Sequence, residues 1–451
     1  MYSQIFKNVI FPLVELSRGT HVLASLKTLE DSQWWTPDEI RDFQEARLRE
    51  LIQHSYTNVP YYRSTFDKLG LKPKDVNSPN DLQKLPVLSK DIIRRNFPDS
   101  MIARNIPRKK LALNHSGGST GEPLSYYLDR YAESWRFASL LRFWKWAGYE
   151  PGTRWVRLDL IAHDKLSQKM MDKLGRCLFF RLSAMNQDTL RASVEKIREY
   201  SPQIIRGYAS QVFLLAKYLK DKGITDIKPN SIITTGDMLF PHYRQLIEEQ
   251  FCCPAFDNYG GNSIVISSQC ESGTHHIAAE NIVLEFVKED HPVKPGELGS
   301  VLVTDLSNYG MPFIRFRIGD LASPSQEKCK CGRGLPCMSS VVGRDTDIVV
   351  TPDGNYLVAY FFGHIFESMT SVNQFQVVQE AGDEIEVKIV KNETFSDQDA
   401  KYIEHAIRRG AGEKLKIRLN FVEDIPVPRS GKIRLVVSEI GQRHFTPAEQ
   451  A

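Results

Sequence analysis

No apolar run in this 451-residue chain approaches the roughly 20 residues that span a membrane. The N-terminal stretch "MYSQIFKNVIFPLVEL" has apolar spacing, but it lacks a charged start followed by a small-residue cleavage site, and Pro12 interrupts it. It does not read as a signal peptide; it reads as a helix packed on the body of the protein, with peripheral membrane contact as the alternative. Cysteine is scarce. Seven residues, an odd number, exclude a disulfide framework at this length and point to a reducing, cytoplasmic setting. Charge of one sign is also lacking. The net charge is +3 with Lys and Arg scattered, which excludes the basic footprint of a nucleic-acid-binding protein. Internal repeats and low-complexity tracts are missing as well.

What is present is an ordinary globular composition in a chain long enough for two or three domains. Residues 37–55 have the period of an amphipathic helix, with Ile40, Phe43, Leu48, Leu51 and Ile52 on one side. Ser78-Pro79 and Ser89 look like helix starts. Residues 130–147 form a helix rich in Trp and Phe, and at this spacing the stripe is core first and ligand wall second. From about 152 to 306, short apolar runs such as "WVRLDLI", "IIRGY", "SIITTGD", "IVLEFV" and "SVLVTDL" read as strands, and 188–200 and 209–222 as helices between them. That is an α/β layout with mixed sheets. After Gly343 the texture changes. "FQVVQEAGDEIEVKIV" is a hairpin turning at Ala381-Gly382-Asp383, "SDQDAKYIEHAIRRG" a helix closed by Gly410, and "LKIRLNFVEDI" a strand. This β-β-α-β order predicts a small α+β domain.

The stretch "HSGGSTGEPL" packs three glycines and three small hydroxyl residues into eight positions, Ser116 to Pro123. Glycine is entropically costly to order, so such a loop is useful where backbone N–H groups must approach an anion, typically a phosphate. A plain flexible turn is the alternative. The loop is not GxxxxGK[ST], because Glu122 and Pro123 follow Gly121. Further weak signals follow in order: "IITTGDML", "FDNYGGNS", "IRFRIGDLA", "VGRDTDIV" and "VPRSGKIRL".

In that order the motifs resemble those of the adenylate-forming ligases: acyl-CoA synthetases, luciferases and peptide-synthetase adenylation domains. The N-terminal "NVPYYRSTFDKLGLKPKDVNSPNDLQKLPVLSKDIIRRNF" and "NHSGGSTGEPL" are similar to the phenylacetate–CoA ligase branch, including its relatives from capsule and exopolysaccharide gene clusters. The resemblance implies a large multi-subdomain adenylation domain over 1–346, with mixed sheets flanked by helices, and a small mobile α+β domain over 347–451. It implies an AMP-forming ligase that uses ATP and Mg²⁺ to make an acyl-adenylate and passes the acyl group to coenzyme A. An amide ligase using an amine acceptor is the runner-up, and a degenerate nucleotide-binding relative the third reading. A homodimer is compatible with the sequence.

The chemistry agrees with that identification. A carboxylate becomes a good electrophile once joined to the α-phosphate of ATP, and the transition state needs N–H donors, a cation and a metal. The resemblance implies that Ser116, Gly117, Gly118, Ser119, Thr120 and Gly121 hold the departing phosphates, and that Asp320 accepts from the ribose hydroxyls. Arg344 would touch ribose or phosphate. Gly236, Asp237, Asn258, Tyr259 and Gly260 would frame the adenine, and Lys432 would bridge carboxylate and α-phosphate. Phe137, Tyr208, Gly261 and Ile264 are candidate pocket walls, although Arg206 suits a polar substrate equally. Asp347 marks the expected hinge. One departure stands out: Ser263 occupies the position of a usual magnesium-holding glutamate, so phosphates and water, or an acid such as Glu280 or Glu285, must substitute.

"SQCESGTHHI" and "KCKCGRGLPC" offer a Cys/His pair and a Cys-x-Cys-Gly turn, a plausible tetrahedral Cys₃His zinc site. The expected ligands are Cys270, His276, Cys329 and Cys331, in a structural role, with His275 and Cys337 in reserve. Cys177, Cys252 and Cys253 are expected to be buried strand residues.

Overall fold

The computed structural model describes residues 2–116, 124–159, 165–181, 187–261, 263–339, 341–344, 348–353, 356–366, 369–426, 434–438 and 440. The chain divides into two compact units: residues 1–285, 302–318 and 324–339, and residues 286–301, 319–323 and 340–451. Among the described residues, no helix is long and apolar enough to cross a membrane.

In the first unit, Tyr2 to Arg18 is helical throughout. A π-helical turn, Phe6–Ile10, joins two α-helical segments, and Pro12 falls in the first turn of the second, where its missing N–H costs nothing. The expected interruption at Pro12 therefore does not occur. Phe6 and Phe11 join a core cluster with Trp135 and Trp144, while Ile5, Val9, Leu13 and Leu16 face solvent. Helix Pro37–Asn58 opens with a capping box: the Glu39 N–H donates to Thr36 Oγ1, and Glu39 accepts from the Thr36 N–H at 2.8 Å. It buries Ile40, Leu48, Leu51 and Ile52, the stripe its period predicts. Ser78 and Ser89 do precede helical segments, Pro79–Lys84 and Lys90–Asn96.

Strands β1 (Ala112–His115) and β2 (Ser125–Leu128) pair antiparallel. Then β3 (Trp155–Asp159), β4 (Cys177–Arg181), β5 (Ile204–Tyr208), β6 (Ser231–Thr235) and β7 (Ala255–Gly261) run parallel in the order β7-β6-β5-β3-β4. Parallel neighbours need crossovers, supplied by helices Leu166–Leu174, Gln187–Tyr200, Ala209–Asp221 and Pro241–Phe251. Strands β8 (Ile264–Gln269) and β9 (His275–Ile277) extend this sheet antiparallel. A five-stranded sheet contains β10 (Ile282–Lys288), β11 (His291–Pro292), β12 (Gly299–Asp305), β13 (Phe316–Ala322) and β16 (Gly343–Arg344), whereas β14 (Pro324–Ser325) and β15 (Cys337–Met338) return to the large sheet.

Alternation gives the large sheet two faces. Val156, Leu158, Ile205, Ile232 and Ala255 pack beneath the crossover helices. Trp155, Ile204, Ile233 and Phe256 pack with the helix Arg130–Trp146 and the N-terminal helices. Most of the aromatic stripe of 130–147 is core, with Trp135, Phe143 and Trp144 buried. Cys252 is no strand residue: it is the exposed, left-handed residue (φ 54°) that ends helix Pro241–Phe251.

The second unit has its own core. It contains β17 (Ile348–Val350), β18 (Tyr356–Val358), helix Ala359–Phe366, β19 (Val372–Ala381), β20 (Glu384–Lys391), helix Asp397–Ala411, β21 (Lys416–Phe421) and β22 (Val436–Ser438). The sheet order is β21-β20-β19-β22, with the hairpin turn at its expected place. Gly410 does not close its helix. It lies inside, where a Cβ would come 2.4 Å from the Phe361 ring, and Gly412 (φ 80°) follows the last turn instead.

A buried ion pair fixes helix Arg130–Trp146. Glu280 Oε1 accepts from Arg142 Nη1 at 2.6 Å and from Ser32 Oγ at 2.6 Å. Breaking such a pair strands a charge in the core. Arg142→Met is therefore expected to cost about 3–5 kcal/mol, read as a lower urea midpoint, and adding Glu280→Gln should recover much of it. A single variant that unfolds like the wild type would show the pair to be dispensable.

Candidate active site and metal centre

Open α/β sheets bind ligands beyond the C-terminal ends of their parallel strands. Here Tyr208, Thr235 and Asn258 lie side by side in register near the ends of β5, β6 and β7. Gly236 follows with φ 83°, and a Cβ there would lie 2.4 Å from the Tyr208 ring, so only glycine lets that ring cross the turn. Asp237 accepts from the Ala209 N–H at 2.6 Å and from the Ser210 hydroxyl. It thereby ties the end of β6 to the start of helix Ala209–Asp221, a holding role that the motif alone did not reveal. Asn258 is buried. Its Nδ2 donates to Ser268 Oγ at 3.1 Å, and its Oδ1 has no hydrogen-bond partner. Pairing with β8 shifts register between Tyr259 and Gly260, and a Cβ at Gly260 would meet the Ile264 carbonyl at 2.4 Å.

Strand β2 is tied to this edge by a hydroxyl contact. Tyr126, on β2, bonds through Oη to Ser263 Oγ at 2.8 Å, and Ser263 itself is left-handed (φ 62°). In sequence the glycine-rich stretch lies between β1 and β2. Ser116 and Leu124 close the end of the strand pair: the Ser116 N–H donates to the Leu124 carbonyl at 2.8 Å, and Ser116 Oγ accepts from the Leu124 N–H at 2.8 Å. Residues 117–121, Asp347 and Lys432 lie outside the described residues.

A narrow recess beside Ser263 is lined by Arg136, Ser139, Ile264, Asn281 and Ser307. Ile264 is where the sequence predicts a wall. Phe137 is not part of it: its ring packs on Phe11 and Trp144, 6.3 and 6.4 Å between centroids. Its neighbour Arg136, which sequence reasoning passed over, faces the recess instead. The one signal was a cation within an otherwise aromatic helix. Glu280 and Glu285 are held in ion pairs with Arg142 and Arg315, so both substitute acids are engaged elsewhere. In the second unit, Asp320 is buried and lies opposite Arg344 across β13 and β16. The two residues expected at the ribose are therefore spatial neighbours.

The four expected metal ligands converge in the first unit. The ligand atoms of Cys270, His276, Cys329 and Cys331 all lie within 4.8 Å of one another. Cys270 and Cys329 are 3.5 Å apart at sulfur, and Cys331 Sγ is 3.3 Å from His276 Nε2. Zinc bonds of about 2.3 Å to sulfur and 2.0 Å to nitrogen give tetrahedral edges of about 3.5–3.8 Å, so the set fits. His276 Nδ1 faces the Leu335 carbonyl at 3.2 Å, which leaves Nε2 for a metal. The Ser272 and Cys331 N–H groups point at the Cys270 and Cys329 sulfurs, at 3.4 and 3.5 Å. Burial opposes ionisation of Cys329, but bonds from the Thr274 side chain and the Cys331 N–H outweigh it and lower the thiol to about 7. The reserve ligands stand apart: His275 bonds Ser267 Oγ at 3.1 Å, and Cys337 lies 3.7 Å from the other ring nitrogen of His276.

Comparison with known proteins points to the same branch. Residues 349–439 match the CapK C-terminal domain. The chain is 25% identical over 439 residues to the phenylacetate-coenzyme A ligase of Thermus thermophilus, covering 89% of this chain and 96% of that one. It is 24% identical over 420 residues to Protein CapK of Staphylococcus aureus, covering 89% and 90%. Its fold matches a 2-hydroxyisobutyryl-CoA ligase solved in the postadenylation state with R3-HIB-AMP, with a TM-score of 0.75 over 91% of this chain and 92% of that one, at 18% identity. Over most of its length the chain is thus similar, at about 25% identity, to the phenylacetate–CoA ligase and CapK-like branch of the adenylate-forming superfamily.

The metal cluster uses none of the residues of the strand edge, which gives it a test independent of turnover. Purified protein is expected to carry close to one zinc per chain. Cys331→Ser should lose the metal and melt at a lower temperature, because structural zinc contributes folding energy. Metal-free wild type whose melting curve is unmoved by chelator would remove the site.

Proposed function

We propose that this protein is an ATP-dependent carboxylate ligase that forms an acyl-adenylate and transfers the acyl group to coenzyme A. The observation that carries the reading is the strand edge. Asn258 holds a buried, unpartnered acceptor in register with Tyr208, and the Tyr126–Ser263 bond ties β2 to the same edge. The adenine amino group would donate to Asn258 Oδ1, with Tyr259 against the base. The glycine-rich stretch would receive the leaving phosphates, and Ser116 would keep the strand pair closed. Asp320 would accept from the ribose, with Arg344 beside it. Magnesium would neutralise charge on the phosphates. Ser263 offers only a neutral hydroxyl already bonded to Tyr126, so phosphates and water supply most of its ligands.

Lys432 carries the first half-reaction in this reading, placing a positive charge between carboxylate and α-phosphate as the bond forms. Lys432→Ala is expected to lower pyrophosphate exchange about 100-fold or more, with the melting temperature as the control for folding. Full-rate exchange in that variant would refute the assignment.

The acceptor must reach the adenylate after Lys432 has acted, so we assign a rotation about Asp347 to the second half-reaction. Asp347→Pro should slow acyl transfer much more than adenylate formation in single-turnover experiments, and equal losses would place the hinge elsewhere. An amine is the second acceptor to test. Thioester against amide detection from the same activated acid distinguishes the two.

A further inference from the structure

The ligase reading leaves one surface of the first unit unused. The helical segment Tyr2–Arg18 buries Phe6 and Phe11 and turns Ile5, Val9, Leu13 and Leu16 outward. These four are spaced four, four and three apart, so they share one face. Exposure rises along it, and Leu16 is 81% exposed. Helix Leu166–Leu174 touches the start of this segment. Tyr2 Oη donates to the Leu174 carbonyl at 2.7 Å, and the Arg176 guanidinium lies 4.4 Å from the centroid of the Tyr2 ring. No residue of that second helix is buried, and its Leu166 (84% exposed) and Met170, four apart, also lie in water. Single exposed apolar residues are ordinary, but six on two touching helices make a patch.

Cations dominate the charge around the patch. Arg18 ends the first helix, and a Cβ on Gly19 would meet the Arg130 side chain at 3.8 Å. Lys165, Lys169, Lys173 and Arg176, all exposed, accompany the second. Lys169, Asp172, Lys173, Arg176, Phe179 and Tyr200 line a groove of about 530 Å³. Acids are few. Asp172 is the one in the groove, Glu15 accepts from the Leu23 N–H at 3.1 Å, and Glu150 pairs with Lys7 and Lys145. Arg18, Arg130, Lys165, Lys169 and Lys173 make no ion pair among the described residues. An apolar stripe flanked by unpaired cations is the form of a helix that lies in the surface of an anionic bilayer. There the apolar side chains enter the acyl boundary and the cations meet phosphates. A second copy of this chain fits less well, because an isologous contact would bring the same cations together. We propose that the first unit docks on anionic membrane surfaces through the Tyr2–Arg18 helix and helix Leu166–Leu174, with its cations at the lipid phosphates. This surface is independent of the ligase reading.

Co-sedimentation of the full chain with vesicles tests this, using equal parts of phosphatidylglycerol and phosphatidylcholine in one set and phosphatidylcholine alone in the other. The wild type should bind the mixed vesicles and not the neutral ones. Raising the salt from about 0.1 to about 0.5 M should weaken binding about tenfold or more. Leu13→Ser with Leu16→Ser, and separately Lys169→Gln with Lys173→Gln, should each lower the affinity about tenfold or more. Both double variants should melt like the wild type, because all four side chains are exposed. Lys169→Arg with Lys173→Arg should keep the affinity. Absence of binding to the mixed vesicles, equal binding to the neutral ones, or binding that either weakening pair leaves unchanged overturns the proposal. Light scattering reports on the other occupant: a wild-type dimer that Leu13→Ser with Leu16→Ser turns into a monomer assigns the stripe to a second copy and overturns the proposal. None of these readouts involves turnover, so failure of the ligase reading would leave the membrane surface standing.

Discussion

The carboxylate of Glu280 has no contact with water, and three helices of the first unit are bonded to it or to the short turn around it. Ser32 and Arg142 reach its side chain, and Arg47 donates to its carbonyl at 2.7 Å and to Asn281 Oδ1 at 3.1 Å. Gln44 donates to the carbonyls of Ala279 and Ile282, and Asn281 to Ser139. An apolar substitute of the same volume would serve stability as well or better. What the bonds add is direction. They admit one seating of helix Arg130–Trp146, and that helix carries Arg136 and Ser139 into the recess and Trp144 over Arg206. The same turn begins just after β9, whose His276 faces the three cysteines. One buried acid thus holds the pocket wall and the metal corner to a common frame.

Much of this was legible in the sequence because it depends on local rules. Helix Pro37–Asn58, the strands from Trp155 to Asp305 and the hairpin at Ala381–Asp383 all follow from period and turn chemistry. The metal set was legible for a different reason: thiols and imidazoles have few other uses at such spacing, and the four expected residues do meet. Contacts between distant parts of the chain were harder to read. Gly410 looks like a helix stop until the Phe361 ring is seen against it, and Pro12 looks like a break until a π-turn is found just before it. The pocket was misjudged most. Composition offers a helix full of aromatics, but packing sends Phe137 into the core and leaves its neighbour Arg136 at the recess. Period shows which residues share a helix face. It does not show which face a ligand meets. Glu280 was weighed as a magnesium ligand because its type fits, and only its distant partner Arg142 reveals that it is spent.

The chain passes between its two units five times, after residues 285, 301, 318, 323 and 339. A cut at any single one of these crossings leaves at least one product carrying residues of both units. Recombination at one joint is equally unable to separate them. The stretch from Val349 to Val436 is different: its apolar side chains close on one another, from Leu357 and Phe362 to Ile403 and Ile407, in one cluster. It is the part of this chain that can be inherited or exchanged as a cassette. Asp320 and Arg344, which face each other across β13 and β16, both precede it. Trading the cassette would leave that pair in place.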